Sequence, residues 1–264
     1  MKAMRPCVLV FAGSDPSGGA GISADIEAIA AQGAHALPII TAITVQDNDR
    51  VFAVHPVATD LILQQAQVLA DKITIRAIKI GIIANRSNAL ALATWISAYR
   101  ILHPEVPVIL DPVLASGHGD ALSTDNAVDS LAPLLKMATL ITPNLPEATR
   151  LCPSATSLPE QAKLLMSHGA DVLIKGGHDS TAMVTNTWFH QDDSTSWQWP
   201  RLPGSFHGSG CTLAAAIAAQ LACGNTLHQS LESAQNYCHL TLQHSYAIAD
   251  GQRIPQRQKP HHHE

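Results

Sequence analysis

The sequence predicts an α/β fold of the doubly wound kind: a mainly parallel sheet, helices on both faces and an antiparallel hairpin at one edge. Three observations predict it. Short apolar runs rich in Val and Ile alternate with longer stretches of helical periodicity. Polar or glycine-bearing sequence follows nearly every apolar run, as loops at the carboxyl rim of a parallel sheet require. Hydrophobic residues make up 46% of the chain and aromatic residues only 4%, which describes an aliphatic core between helices and sheet.

In chain order the strands are CVLVFAG (7–13), LPIITAITV (37–45), AIKIGII (77–83), VPVILDP (106–112), TLITP (139–143) and DVLIKGG (171–177). Each is a near-continuous apolar run, the pattern of a strand buried on both faces. The intervening segments 19–32, 59–72, 87–101, 125–136 and 158–169 carry helical periodicity and serve as crossovers. Two shorter runs, 182–191 and 194–200, meet through a DD pair and read as the edge hairpin. Two long helices, 208–223 and 225–247, follow. No repeat, linker or charge shift divides the chain, so residues 1–250 form one domain and 251–264 a C-terminal tail; His261, His262 and His263 read as disordered.

At 264 residues the chain is long for one domain but ordinary for a large α/β unit. Its net charge of −5 and lack of a basic run argue against nucleic acid as a partner. The five cysteines are scattered, odd in number and free of CxxC spacing, which indicates neither disulfides nor a zinc cage and fits a reducing cytoplasm. No run approaches a membrane span, and the start MKAMRPCVLVFAGSDP enters a strand and turn without a signal-peptide pattern.

The segments GSDPSGGAG, QDND, DPVLASGHGD, NLPEA and GGHD follow successive strands and converge on one rim, more polar residues than turns alone need. A P-loop is absent, and Gly19, Gly21 and Ala24 satisfy only a loose dinucleotide pattern displaced from the first strand by SDPS. In HGSGCTLAAAIAA (207–219), small residues open an alanine-rich helix, where backbone N–H groups and the helix dipole suit an anion such as phosphate. Cys211 then stands beside that anion, or is a small buried hydrophobe. Asn144 and Glu147, three apart at a helix start, either face Mg²⁺ on ATP phosphates or form a capping box. Asp111 ends a strand at the rim, or forms a turn there. Lys175 brings positive charge to a strand end, facing either phosphate or solvent. Together these residues describe a kinase.

The motifs AGSDPSGGAGISAD, TAITVQ, KIGII, VILDPV, LITPNLPEA, VLIKGGH and HGSGCTLAAAIAA, in this order over residues 7–219, resemble the hydroxymethylpyrimidine and phosphomethylpyrimidine kinases of thiamine biosynthesis, within the ribokinase-like superfamily. The resemblance implies an ATP- and Mg²⁺-dependent phosphotransferase, soluble in the cytoplasm and homodimeric, acting on a small pyrimidine. It makes Gly208, Ser209 and Gly210 the anion hole and puts Cys211 where most ribokinase relatives carry an Asp base. At a helix N-terminus such a thiol is expected to favour thiolate. It places Gly13, Asp25, Gln46, Ile82 and Val113 on the pyrimidine, Asn144, Glu147 and Asp111 around Mg²⁺ and its water, and Lys175 on the phosphates. Two departures bear on specificity: Asp47, Asn48, Asp49 and Arg50 replace the Asn-Thr-x-Gly usual after Gln46, and Ile82 stands where Met is frequent. Arg50 is expected to meet the phosphate of a phosphorylated substrate. Alternatives are a pyridoxal or pyridoxine kinase, whose ring also carries a hydroxymethyl group near a ring nitrogen, and a non-catalytic vitamin-binding protein.

Overall fold

The computed structural model describes residues 4–178 and 181–258, so His261, His262 and His263 lie outside the described residues. Among the described residues nine strands form one sheet in the order β3-β2-β1-β4-β5-β6-β7-β8-β9. They are β1 (Cys7–Ser14), β2 (His35–Gln46), β3 (Val51–Pro56), β4 (Ile75–Ile80), β5 (Val108–Leu110), β6 (Leu140–Ile141), β7 (Asp171–Ile174), β8 (Met183–His190) and β9 (Asp193–Pro200). The six strands from β2 to β7 pair in parallel, and β3, β8 and β9 pair antiparallel. The sheet is therefore flanked by a hairpin at each edge. The sequence reading found β8–β9 but left 51–56 without a strand, because VFAVHP sits half exposed at an edge and lacks the buried run of an interior strand.

Alternation along each interior strand feeds two cores. In β1, Leu9 and Phe11 face one layer, and Val8, Val10 and Ala12 face the other. On the first face lie α2 (Thr59–Ala70), α3 (Arg86–Leu102), α4 (Ala127–Leu135), the short α5 (Leu145–Leu151) and α6 (Leu158–Met166). On the second lie α1 (Gly21–Ala31), α7 (Ser209–Ala222) and α8 (Leu227–Gln243). The residues from Ala214 to Ala219 in α7 are fully buried, and their small side chains let this helix lie close to the sheet and to α1.

The chain leaves β1 toward β2 on one side, and β4 adds to β1 on the other, so the strand order reverses at β1 and β4. Such a switch point opens a crevice at the carboxyl ends of the strands. The C-terminal segment closes part of it. Residues 251–257, set apart by the sequence as the start of a tail, are built into the fold: Tyr246 and Ile254 exchange backbone hydrogen bonds, and the buried Arg257 guanidinium donates to Thr212 Oγ1 and to the Gly19 carbonyl and pairs with Glu27. The apolar Ile254 and the anchoring Arg257 are the physical reason this stretch does not hang free.

Candidate active site

A cavity of about 490 Å³ opens at this crevice. One end is formed by the start of α7. Gly208 precedes the helix with φ of 74°, and a side chain there would collide with the Gly19 carbonyl, so this turn requires glycine. Gly208, Ser209 and Gly210 line the cavity, where the first-turn N–H groups have no helical partners. A Cβ on Gly210 would stand 3.1 Å from Lys175 Nζ, so the small residue lets the helix approach the cation.

Lys175, just past β7, pairs with Asp111 at 2.7 Å, and Thr142 Oγ1 donates to the same carboxylate oxygen at 3.1 Å. Burial opposes ionisation of Asp111, but Lys175 and Lys79 outweigh it and hold the carboxyl below its usual range. Asn144 and Glu147 form a reciprocal capping box at α5: Glu147 N–H donates to Asn144 Oδ1, and Asn144 N–H donates to Glu147 Oε2, both at 2.8 Å. Both residues also line the cavity, so the two readings of this pair are compatible. Burial pushes the Glu147 carboxyl up to about 7, with Lys175 pulling against it and Asp111 adding to it.

Cys211, in the first turn of α7, lines the same wall. The Gly21 N–H at the start of α1 also points at its thiol, so two helix N-termini meet there. The thiol is nevertheless raised above its ordinary value. Burial is the largest influence, and Asp25 and Asp111 reinforce it against Lys79 and the Gly21 N–H. This corrects the expectation of a thiolate: desolvation outweighs the helix termini.

Asp25 is a second correction. Expected on the ring, it is fully buried, does not line the cavity and pairs with Lys79 at 2.8 Å, with both side chains wholly inaccessible. Burial lowers the proton affinity of Lys79, but the Asp25 carboxylate more than restores it, so the lysine stays charged. Asp25 faces inward because it lies on the same side of α1 as the buried Ile22 and Ile29. Sequence reasoning missed Lys79, whose only signal was a lysine inside the apolar run AIKIGII.

Gly13, Gln46, Ile82 and Val113 line the same cavity. Asp15 and His207, also missed, stand beside Gln46. The turn between β2 and β3 leans across the mouth. Arg50 binds Asp120 through Nη2 at 2.6 Å and through Nε at 3.1 Å, Asn48 donates to the carbonyls of Asp250 and Gln252, and Asp49 meets His118 at 3.0 Å. Arg50 lines the cavity, but its guanidinium is engaged by Asp120 rather than left free for a substrate phosphate.

The model of one protein family, phosphomethylpyrimidine kinase, matches residues 15–256. The chain is 40% identical over 256 residues, 93% of its length, to a hydroxymethylpyrimidine/phosphomethylpyrimidine kinase of Mycobacterium tuberculosis, of which the match covers 91%. It is 32% and 31% identical to the multifunctional thiamine-biosynthesis proteins of Corynebacterium efficiens and Corynebacterium glutamicum, and spans about a third of their length. Among solved structures, an ADP complex of Bacillus subtilis pyridoxal kinase aligns with a TM-score of 0.85 and 25% identity, covering 96% of this chain and 98% of that one. A phosphomethylpyrimidine kinase of Clostridium difficile aligns with a TM-score of 0.76 and 29% identity, covering 89% and 98%.

Proposed function

Because the chain belongs to the phosphomethylpyrimidine kinase family, we propose that it transfers the γ-phosphoryl group of ATP to 4-amino-5-hydroxymethyl-2-methylpyrimidine, to its monophosphate, or to both, in thiamine biosynthesis. The observation that carries this reading is the joint lining of one cavity by two kinds of group. The cavity is lined both by helix N–H groups, Lys175, Asp111 and Cys211 and by Gln46 with the apolar Ile82 and Val113. An anion fits the first and a flat ring with polar edges the second.

The γ-phosphoryl group lies against Gly208, Ser209 and Gly210, whose N–H groups take up charge on the equatorial oxygens. Lys175 leaves Asp111 in part to meet the phosphates. Cys211, protonated at neutral pH, orients the substrate hydroxyl by hydrogen bonding, and the hydroxyl proton leaves late, to an oxygen of the phosphoryl group being transferred, since a loose transition state needs little base. Gln46 reads a ring edge, and Ile82 and Val113 hold the ring faces. Among the described residues no three His, Cys, Asp or Glu side chains form a cage for a metal. Asp111 and Glu147, with Asn144 beside them, are a donor set that suits a hydrated Mg²⁺ shared with phosphate oxygens, where it would neutralise phosphate charge. A cation there would also draw Glu147 into its ionised form.

Pyridoxal is the second substrate to weigh, favoured by the extent of the structural match to a pyridoxal kinase. Product analysis with the hydroxymethylpyrimidine and MgATP tests the proposal. Monophosphate alone, or diphosphate, supports it and counts the steps; no product from the pyrimidine, with turnover of pyridoxal, replaces it with the second reading.

A homodimer is part of the same proposal. Ile43, Val45 and Phe52 leave apolar surface exposed on the β2–β3 hairpin, and sedimentation equilibrium decides the mass. Among the described residues no helix is long and apolar enough to cross a membrane. The five free cysteines suit a cytoplasmic location.

A further inference from the structure

Three polar side chains from distant parts of the chain meet at the ring end of the cavity. Asp15 follows the last residue of β1, Gln46 ends β2 and His207 precedes α7. Asp15 is nearly buried. Its Oδ1 accepts the Ser17 N–H at 2.8 Å, and its Oδ2 accepts the Ala20 N–H at 2.7 Å and faces His207 Nε2 at 2.9 Å. Burial alone would raise this carboxyl, but His207 and the N–H donors lower it, so it is an ionised acceptor. His207 Nε2 must then carry a hydrogen, and that single hydrogen lies within reach of two neighbours, the Asp15 carboxylate at 2.9 Å and the Gln46 carboxamide at 3.3 Å.

The Gln46 carboxamide meets the same ring nitrogen at 3.3 Å, nitrogen to nitrogen. That arrangement sets one donor against another. The two ends of a carboxamide have nearly the same shape, so its hydrogen-bond partners decide which way it turns. We infer that His207, held by Asp15, turns the Gln46 carboxamide so that its oxygen faces the imidazole and its NH₂ group faces the cavity. The imidazole is not free to follow the amide instead. Its backbone N–H is bonded to the Arg253 carbonyl at 2.9 Å, and its ring fills the space where a side chain on Gly19 would lie.

The consequence is a specificity rule, and it rests on the reading of this cavity as a ring site. A fixed NH₂ donor favours a ring that presents a nitrogen lone pair, as an aminopyrimidine does. With the ring held in register by its hydroxymethyl group beside Cys211, it disfavours a ring that presents N–H at that same position, as the matched pyrimidinone does at its ring nitrogen, because donor would again face donor. His207 is thus a positioning residue for substrate selection and touches the substrate through Gln46.

The test compares the 4-amino-5-hydroxymethylpyrimidine with the corresponding 4-pyrimidinone, by calorimetric Kd on the full chain and by kcat/KM with MgATP. The wild-type protein should favour the aminopyrimidine by about tenfold or more. His207→Ala should bring the ratio toward one by freeing the amide, and His207→Gln, which keeps an N–H donor, should restore part of it. Gln46→Glu should invert the ratio, since a carboxylate presents only acceptors to the cavity; this variant decides the matter if His207→Ala does not fold. Equal affinity of the wild-type protein for the two rings would overturn the inference, as would an unchanged ratio in His207→Ala with both ligands weakened alike. Absence of binding and turnover of either ring would overturn the reading of the cavity, and the inference with it.

Discussion

The two ends of the cavity handle charge in opposite ways. At the phosphate end, and in the layer beneath it, Lys175, Asp111, Lys79 and Asp25 are enclosed by protein and paired with one another. At the mouth, Arg50 pairs with Asp120 and Asp49 with His118, and the Arg50 side chain is 54% exposed. The difference teaches where substitutions should be felt. Enclosed charges that lose a partner have no water to turn to, whereas exposed ones exchange a neighbour for solvent at little cost.

The largest expected effect is on stability. Asp25→Ala leaves Lys79 charged and unpaired in the core and should cost about 3–5 kcal/mol, measured by chemical denaturation. Removing both charges with Asp25→Ala and Lys79→Met should recover much of that loss. If Asp25 instead held the substrate, its variant would keep normal stability and show a raised KM, and the contrast between the two ends would fail.

Next is the thiol. Cys211→Ala should slow single-turnover phosphoryl transfer to the hydroxymethyl group on the order of 10²-fold, about 2.7 kcal/mol, with ATP and pyrimidine affinities little changed. Burial raises this thiol, so it stays protonated through neutral pH. The wild-type and Cys211→Ala profiles should therefore have the same shape between about pH 7 and 8, below the ordinary range of thiol ionisation. A rising limb there that vanishes in the variant would identify a thiolate base.

Glu147 sharpens the comparison because function and stability should move in opposite directions. Its carboxyl is raised from 4.5 to about 7 in the fold, so the folded state binds the proton more tightly than the unfolded chain does. That contribution is full below about pH 4.5 and is lost as pH rises through about 7. Glu147→Gln keeps an oxygen for the capping box and removes the buried charge. Without ligand it should melt higher than wild type at pH 8, by on the order of 5 °C, with the gap closing near pH 5. Its kcat with MgATP should fall, and unchanged turnover at saturating Mg²⁺ would take Glu147 out of the site.

The smallest effect belongs to the mouth. Arg50→Ala should leave thermal unfolding almost unchanged, as for exposed ion pairs, and the small shift should shrink further at high salt. A loss as large as that of Asp25→Ala would show that the turn is part of the core and erase the distinction between the two regions.

The phosphate end was legible in the sequence to the degree that it is local. HGSGC names its own geometry, because Gly208 is the left-handed cap, Gly210 is the clearance beneath Lys175, and the helix N–H groups need no side chains at all. NLPEA likewise specifies a helix start through residues three apart. The ring end was legible only in part. Gln46, Ile82 and Val113 were reached only through the family resemblance, and His207 and Asp15, 192 positions apart, acquire meaning only by meeting.

By itself the sequence determined the alternation of buried strands and crossover helices, the rim on which the loops converge and the anion-binding helix start, because these depend on periodicity and on backbone chemistry within a few residues. The tertiary structure decided which charges face the cavity and which face each other. A sequence places Asp25 on a helix, but the side it presents to Lys79, the raised proton affinity of Cys211 and the anchoring of residues 251–257 by Arg257 depend on what packs around each group. Desolvation and pairing are properties of enclosure, and enclosure comes only from bringing distant segments together.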